Sequence, residues 1–362
     1  MLIGKANMHE LGMGITGINT YTGTPISPWR AGHCCGGSSS GSAAAVAYGL
    51  CPIAVGVDGG GSTRIPASLC GLVGLLPTTQ RVGKQGHPTS FTIARIGPIA
   101  TYVEDALILH TLISEAGSAG GIPPLISLPE SLYTGESSDR PLAGLKMGIY
   151  WQWFTDADDD VVEACRQAVT RLESLGVVRV AINIPDLELM RVAHACTIAS
   201  EQCESTNTPY VSKKWRRQMN NDVRMGLAMA RTFTSRDYIH AQRVRRRMNT
   251  HFKKAMANID MIVTPTVPVT APRIHPTALK SNVIDSEQVF TVMRFMLGPN
   301  FLGLPAISVP VGRDSDGLPI GLQLIGKHWC EPLLFKVASA LERQTREYTA
   351  VPGSAINPLT AD

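Results

Sequence analysis

Hydrophobic and polar positions along the chain follow two periods, one typical of helices and one typical of strands. Residues 41–50 are small and rich in alanine, which favours a closely packed helix. In residues 158–175, apolar side chains at helical spacing form one stripe: Val161, Val162, Cys165, Val169 and Leu172. Short apolar runs predict strands at residues 51–58, 144–150, 177–184, 305–312 and 318–325, the first of them buried. Because strands alternate with helices, the pattern predicts an α/β domain built in layers.

Turn and cap signals separate these elements. Asp-Ser-Asp-Gly at residues 314–317 predicts a turn between the last two strands. Thr234 and Asp237 have the spacing of a capping box, which predicts that a helix begins there. Residues 115–142 are rich in glycine, proline and serine, and we expect them to form a surface loop.

Composition indicates a large core and gives no sign of export. The chain has 362 residues, of which 44% are hydrophobic and 17% charged, against about 25% charged in an average globular protein. No apolar run reaches the roughly 18 residues of a membrane span, and the first residues do not follow a signal-peptide pattern. The eight cysteines form no C-x-x-C pair, which suits a reducing compartment. These features predict a cytoplasmic protein, and contact with a membrane surface stays open.

The net charge of +4 is concentrated in residues 240–254, where six arginine and lysine side chains cluster. Such a cluster could bind nucleic acid or a lipid surface. A charge run of this kind is more often the solvated face of an amphipathic helix, and we favour that interpretation. We therefore expect no nucleic-acid partner.

Two glycine-rich segments are the candidates for chemistry. The first, residues 36–42, reads GGSSSGS, and the second, residues 58–66, reads DGGGSTRIP. Runs of glycine let backbone N–H groups approach a ligand closely, which suits a phosphate or a developing oxyanion. Ser62 ends the second run and could be a nucleophile whose oxyanion hole is the preceding loop. The alternative is a pair of flexible surface loops, which Asp58 and Arg64 disfavour because their charges would have to pair beside a buried strand.

Three other motifs have weaker support. Residues 12–17 match G-x-G-x-x-G, but a turn-rich segment follows where a dinucleotide site needs a helix. Neither serine segment carries the lysine of a nucleotide-binding P-loop. No G-x-S-x-G elbow is present, and no histidine has a partner recognisable from the sequence, so a Ser-His-Asp triad is not supported.

Several strings together resemble the amidase signature family. They are GGSSSGSAA at residues 36–44, GVDGGGSTRIP at 56–66, Cys70-Gly71, TPT at 264–266, GLPAIS at 303–308 and PIGLQ at 319–323. Ser38 and Ser62 are 24 residues apart, the spacing of the family's two catalytic serines. Within the family, GKANMHELG at residues 4–12 and MRF at 293–295 are most similar to the plant-type fatty acid amide hydrolases.

The resemblance implies a fold and a mechanism. The fold is α/β, with a mixed central β-sheet covered by helices on both faces, in a single domain over residues 1–362. Ser62 is expected to attack the amide carbonyl, while Ser38, after a cis peptide bond, relays the proton. The oxyanion hole is expected at the N–H groups of Gly59, Gly60, Gly61 and Ser62, supported by Ser39, Asp58 and Arg64. Substrate contacts are expected from three methionines, Met8, Met293 and Met296.

The family's third catalytic group is a lysine that precedes the GKANM string. Here that string begins at Gly4, and Lys5 matches a later, non-catalytic position. The sequence therefore predicts a chain truncated at its N-terminus relative to the family. Loss of a general base costs about 10²–10⁴ in rate, so we expect this chain to be a poor catalyst.

The expected substrate is a small-molecule amide, an N-acylethanolamine or another fatty acid amide. No cofactor and no metal ion is implied, and a homodimer stays open. Two alternatives remain: a protein that resembles the A subunit of an amidotransferase and acts with a partner, and a homologue without catalytic activity.

Overall fold

The computed structural model describes residues 1–87, 92–114, 140–281 and 285–349. Within these ranges, eight strands form one sheet in the order β1-β3-β2-β7-β8-β6-β4-β5. The pairs from β1 through to β6 are antiparallel, and β6-β4-β5 are parallel, so the sheet is mixed. The strands are β1 (Ile53–Asp58), β2 (Val73–Leu76), β3 (Arg95–Ala100), β4 (Lys146–Ile149), β5 (Val178–Ala181), β6 (Met261–Pro265), β7 (Ala306–Arg313) and β8 (Pro319–Gly326).

Helices connect and cover the strands. They are α1 (Ser40–Ala47), α2 (Arg64–Cys70), α3 (Val103–Ile113), α4 (Trp151–Phe154), α5 (Asp159–Ser174), α6 (Leu187–Ser205), α7 (Asn207–Val211), α8 (Lys213–Arg216), α9 (Asn221–Ala230), α10 (Ser235–Ala255), α11 (Ala278–Ser281), α12 (Ser286–Val292), α13 (Leu297–Leu302) and α14 (Glu331–Gln344). Two short 3₁₀ helices lie at Glu10–Gly12 and Arg346–Tyr348.

The core lies on both faces of the sheet. Successive side chains of a strand point to opposite faces. In β6, Met261 and Val263 pack with α3, α5 and α14, whereas Ile262 between them packs with α6, α10 and α13. Leu324 and Ile325 of β8 divide in the same way. The expected fold, a mixed sheet with helices on both faces, is therefore confirmed.

Most of the elements predicted from periodicity are present. The helix predicted at residues 158–175 is α5, and all five residues of its predicted stripe are buried. The strands predicted at 144–150, 177–184, 305–312 and 318–325 correspond to β4, β5, β7 and β8. The turn at residues 314–317 is also present, because the Gly317 N–H donates to the Asp314 carbonyl at 3.0 Å.

The first predicted strand is not buried as expected. β1 lies at an edge of the sheet, and its Val55 is 44% exposed. The β-branched run located the strand correctly, but it could not show whether the strand has a paired strand on both sides. Strands β2, β3 and β6 were not predicted, since each is short or interrupted by glycine or proline. Of the surface loop predicted at 115–142, residues 115–139 lie outside the described residues.

The basic segment forms one face of helix α10. Its capping box is confirmed: the Thr234 side chain accepts from the Asp237 N–H, and Asp237 accepts from the Thr234 N–H at 2.8 Å. Ala241, Met248 and Phe252 are buried on the opposite face. Arg245 departs from the predicted solvated face, because its guanidinium donates to Thr92 and lies 5.5 Å from the centre of the Phe301 ring.

Long apolar helices are missing from the described parts of the chain. None of the helices found there has both the length and the hydropathy to cross a membrane. The eight cysteines are free thiols, and Cys34, Cys35 and Cys70 are buried.

Candidate active site

The two serine-bearing segments lie side by side. We call residues 36–42 the serine loop and residues 59–61 the glycine loop. The Ser39 N–H donates to the Ser62 carbonyl at 3.2 Å, which joins the two segments directly. The Val57 N–H, from β1, donates to the Ser39 hydroxyl at 3.1 Å. Ser39 thus connects the serine loop both to Ser62 and to the strand before it.

Ser38 occupies a backbone position enclosed by neighbouring chain. The Gly37–Ser38 peptide bond is cis, as the resemblance implied. The Ser38 carbonyl accepts a hydrogen bond from the His9 N–H at 3.0 Å. A Cβ atom at Gly37 would lie 2.9 Å from the Gly17 nitrogen, so only glycine fits there.

The two hydroxyl groups are available for reaction. Ser38 is 3% exposed and Ser62 is 7% exposed. Among the described residues, neither side chain has a hydrogen-bond partner, whereas the Ser42 hydroxyl nearby donates to the Val55 carbonyl at 2.8 Å. The structure therefore brings both predicted catalytic serines into one nearly buried region.

Neighbouring side chains pack closely against the glycine loop, most tightly at Gly61. A Cβ atom at Gly60 would lie 2.4 Å from the terminal methyl of Met293. At Gly61, where φ is +111°, it would lie 2.5 Å from Met296 and 2.6 Å from Ile65. Glycine at 61 is required both by this positive φ and by the contacts with Met296, just before α13, and Ile65 in α2.

A buried ion pair anchors the glycine loop. Asp58 and Arg64 flank it, and both are fully buried. Arg64 Nε donates to Asp58 Oδ2 at 2.9 Å, and Arg64 Nη2 donates to Oδ1 at 3.2 Å. The remaining Arg64 donors reach Asn300 and Gln323. Because both charges are paired and hydrogen-bonded, the segment between them closes into a fixed turn.

Asp58 is held in its ionised form. Burial by itself would raise the pKa of this carboxyl group. The charge of Arg64, with hydrogen bonds from Arg64, Asn300 and Gly61, outweighs burial and lowers the pKa below its ordinary value. Asn300 contributes by donating to the Asp58 carboxylate at 2.9 Å and to its carbonyl at 3.0 Å.

One of the four expected oxyanion donors is already occupied. The Gly61 N–H donates to Asp58 Oδ1 at 2.6 Å. In this structure that N–H is engaged by the Asp58 carboxylate and does not point to a free position for an oxyanion. In contrast, no acceptor among the described residues lies within hydrogen-bonding reach of the N–H groups of Gly59, Gly60 or Ser62. The candidate oxyanion hole is therefore limited to these three groups.

A histidine that sequence reasoning missed lies behind the glycine loop. His194, in α6, is 1% exposed, and its Nε2 lies 2.9 Å from the Gly59 carbonyl oxygen. Burial lowers the pKa of its imidazole to about 4. Nothing in the local sequence marks His194, because its contact spans 135 residues.

The three methionines expected to bind substrate take different positions. Met8 is 39% exposed, and its methyl group and the Ser38 hydroxyl both approach Gly12. Met293 is partly buried and touches Gly60. Met296 is fully buried behind Gly61, where it supports the loop from within the core. Only Met8 and Met293 remain accessible enough to contact a substrate.

A cavity of about 740 Å³ is lined in part by Phe290, Arg294 and Leu297, the chain neighbours of Met293 and Met296. Its apolar wall includes Trp153, Leu187, Met190, Phe290 and Leu297. Leu297 joins the cavity to the site, because its side chain also lies 3.9 Å from the position of a Cβ atom at Gly60. The cavity and the glycine loop therefore share one wall.

Charged side chains at the cavity form ion pairs with each other. Arg294 donates to Asp156 at 2.8 Å, and Arg191 pairs with Glu188. Asp186, another lining residue, pairs with Arg247 at 2.6 Å. Elsewhere in the described ranges, no three His, Cys, Asp or Glu side chains are grouped as metal ligands are.

Removal of Arg64 should destabilise the protein strongly. In Arg64→Met, the buried Asp58 carboxylate would lose its counter-ion, and we expect the free energy of unfolding to fall by about 3–5 kcal/mol. Urea unfolding at pH 7 measures this change. Arg30→Met is the matched control, since Arg30 pairs with Asp316 on the exposed surface and should have little effect. Equal effects of the two variants would contradict the anchoring role of the buried pair.

Stability should depend on pH through His194. An unfolded histidine takes up a proton below pH 6.5, whereas folded His194 does so only near pH 4. The stability contributed by the neutral imidazole is therefore present above pH 6.5 and lost as the pH falls towards 4. Residue 194 does not titrate in His194→Gln. Below pH 6, the free energy of unfolding of this variant should therefore fall with pH less steeply than that of the wild type, and the two slopes should differ by about 1 kcal/mol per pH unit. Urea unfolding between pH 5 and 7.5 tests this, and identical slopes would refute it.

Comparison with known proteins gives the site a family context. A family model described as Amidase matches residues 1–335. The fatty acid amide hydrolase of Medicago truncatula is 43% identical over 367 residues, covering all of this chain and 60% of that protein. The chain thus spans about three fifths of the length of that relative.

Relatives of a second kind are also similar. The A subunit of the glutamyl-tRNA(Gln) amidotransferase of Acinetobacter baumannii is 33% identical, covering 96% of this chain and 74% of that protein. The crystal structure of its counterpart from Thermotoga maritima matches with a TM-score of 0.80 at 30% identity, covering 97% of this chain and 76% of that one. With the family model matching most of its length and its fold shared with these structures, the chain belongs to the amidase family.

Proposed function

We propose that the protein hydrolyses carboxamide bonds with Ser62 as the nucleophile. The observation that carries this proposal is the unbonded Ser62 hydroxyl at the end of a glycine loop whose free N–H groups have no acceptor among the described residues. Such N–H groups can stabilise the negative charge of a tetrahedral intermediate, and one donor of this kind contributes about 2.7–4 kcal/mol.

The reaction proceeds in two steps. Ser62 Oγ attacks the amide carbonyl carbon, and its proton passes to Ser38 Oγ, which releases its own proton towards the amide nitrogen. The C–N bond then breaks, and Ser38 delivers the proton to the leaving amine. Water hydrolyses the resulting ester on Ser62 and releases the carboxylic acid. Asp58, Arg64 and Ser39 hold these groups in place and do not react.

Phosphonylation tests the assignment of Ser62. A fluorophosphonate should modify Ser62 selectively, because the activated serine attacks phosphorus while the loop N–H groups bind the phosphoryl oxygen. Ser62→Ala should abolish the adduct, and Ser38→Ala should slow its formation about a hundredfold or more. Peptide mapping by mass spectrometry locates the adduct.

The matched control is Ser42→Ala, which removes a hydroxyl of the same serine loop that bonds only to the Val55 carbonyl. This variant should react like the wild type. Modification of another serine, with Ser62 untouched in the folded protein, would overturn the proposal.

The substrate class that we propose is an amide with a long apolar acyl chain and a small amine. The support is the 43% identity to a fatty acid amide hydrolase, together with Met293 beside Gly60 and the apolar cavity wall that ends at Leu297. Each buried methylene stabilises binding by about 0.8 kcal/mol, which is roughly a fourfold gain.

An acyl-chain series tests this substrate class. Across N-acylethanolamines of increasing length, kcat/KM should rise several-fold per added carbon until the site is full. Met293→Gln should reduce that gain, whereas Met225→Gln, at a position 65% exposed, should leave it unchanged. A flat profile, or a preference for acetamide-sized amides, would reject the lipid substrate and leave a general amidase.

A second candidate is a role within an amidotransferase, in which this chain acts with a partner. It is favoured by the 33% identity to the A subunit of such an enzyme, although the identity to the plant hydrolase is higher. A stable complex with a different polypeptide, found on purification from the native source, would support this candidate. A homodimer and a membrane contact, which the sequence leaves open, stay open.

A further inference from the structure

His194 is not part of the proposed reaction, yet it contacts the loop on which that reaction depends. Its imidazole approaches the glycine loop from α6, with Nε2 2.9 Å from the Gly59 carbonyl oxygen. Its Cε1 lies 3.4 Å from the position of a Cβ atom at Gly60. The edge of the ring packs against Phe301, with the ring centres 6.1 Å apart.

The partner fixes the tautomer of this histidine. A carbonyl oxygen can only accept a hydrogen bond, so the proton must reside on Nε2. Burial keeps the ring neutral at physiological pH, since the pKa of His194 is lowered to about 4. The ring therefore donates one hydrogen bond to the loop and brings no positive charge to it.

This hydrogen bond determines where an N–H group points. The Gly59 carbonyl and the Gly60 N–H belong to one planar peptide unit, which is trans. In a trans peptide the C=O and N–H bonds point in opposite directions. A donor that holds the Gly59 carbonyl towards α6 thus directs the Gly60 N–H away from α6. Since glycine has a wide choice of backbone conformations, the loop would otherwise not select this orientation by itself.

We infer that His194 is a positioning residue for the oxyanion hole: by donating to the Gly59 carbonyl, it holds the Gly60 N–H in the orientation that an anionic intermediate needs. This inference rests on the proposed function for its catalytic consequence. The alternative is a buried histidine that merely satisfies its own hydrogen bond. A positioning role and a merely structural role predict different reactivity of Ser62 when the Nε2–H donor of His194 is removed and the packing is kept.

Two substitutions separate these alternatives. His194→Met has a similar volume but no donor, and the Gly59 carbonyl loses its partner. His194→Gln is the conservative variant, because its side-chain amide places a donor near the position of Nε2. Thr197→Val is the matched control: Thr197 lies one turn further along α6 and is fully buried, and its side-chain hydrogen bonds among the described residues go to Ala193 and Gln242 rather than to the glycine loop.

The first measurement is the second-order rate constant for phosphonylation of Ser62. His194→Met should lower it about 10- to 100-fold, the cost of a displaced oxyanion donor. His194→Gln and Thr197→Val should stay within about threefold of the wild type. In amide hydrolysis, the loss should appear in kcat with KM unchanged, since the N–H contact strengthens only in the transition state. Equal rates for His194→Met and the wild type would overturn the inference.

The second measurement is structural and does not depend on reactivity. A crystal structure of His194→Met should show the Gly59–Gly60 peptide rotated from its wild-type plane. An unchanged plane would refute the positioning role even if reactivity fell. A rotated plane, combined with a wild-type protein that is not phosphonylated at Ser62, would uphold the positioning role and reject the proposed function.

A folding defect would not block the test. If His194→Met fails to fold, His194→Asn replaces it, because the shorter amide keeps a polar side chain but does not reach the Gly59 carbonyl. The Asn variant should then react at least tenfold more slowly than the Gln variant. Equal rates for the two variants would contradict the inference.

Discussion

The ion pair between Asp58 and Arg64 is the interaction on which the site depends. Two fully buried charges are stable only when each is paired and its remaining hydrogen-bonding capacity is met. Arg64 meets this condition with Asp58, Asn300 and Gln323, and Asp58 meets it with Arg64, Asn300 and the Gly61 N–H. The pair thereby joins β1 to α2 across the glycine loop, and through Asn300 and Gln323 it ties that loop to α13 and β8.

The orientation of the glycine loop depends on its contacts with Asp58, His194 and two methionines. Asp58 accepts from the Gly61 N–H, and His194 donates to the Gly59 carbonyl. Met293 touches Gly60, and Met296 leaves no room for a side chain at Gly61. These contacts leave the N–H groups of Gly59, Gly60 and Ser62 without an acceptor among the described residues. Three consecutive glycines allow many backbone conformations, but these contacts fix one of them. Electrostatic catalysis requires such preorganised N–H groups.

Local signals in the sequence predicted the parts of the fold that depend on local physics. The stripe of α5, the capping box of α10 and the turn at residues 314–317 each follow from neighbouring side chains. Whether β1 is central or at an edge depends on which strands pair with it, and the pattern of one strand does not carry that information.

The residues of the site also divide into those that local sequence could predict and those that it could not. The serines, the glycines and the Asp58–Arg64 pair could be selected because they are close in sequence and chemically distinctive. His194 could not, because it touches Gly59 across 135 residues and lies in a helix of ordinary composition. The hydrogen bond from the Gly61 N–H to Asp58 could not be predicted either. The sequence shows that this donor exists, but it does not show which acceptor it binds.

The most direct test of this account is a crystal structure of the protein phosphonylated at Ser62. The phosphoryl oxygen is predicted to lie about 3 Å from the N–H groups of Gly60 and Ser62, while the Gly61 N–H stays on the Asp58 carboxylate. A phosphoryl oxygen that points away from the glycine loop, or a Gly61 N–H that leaves Asp58 to bind it, would contradict the account.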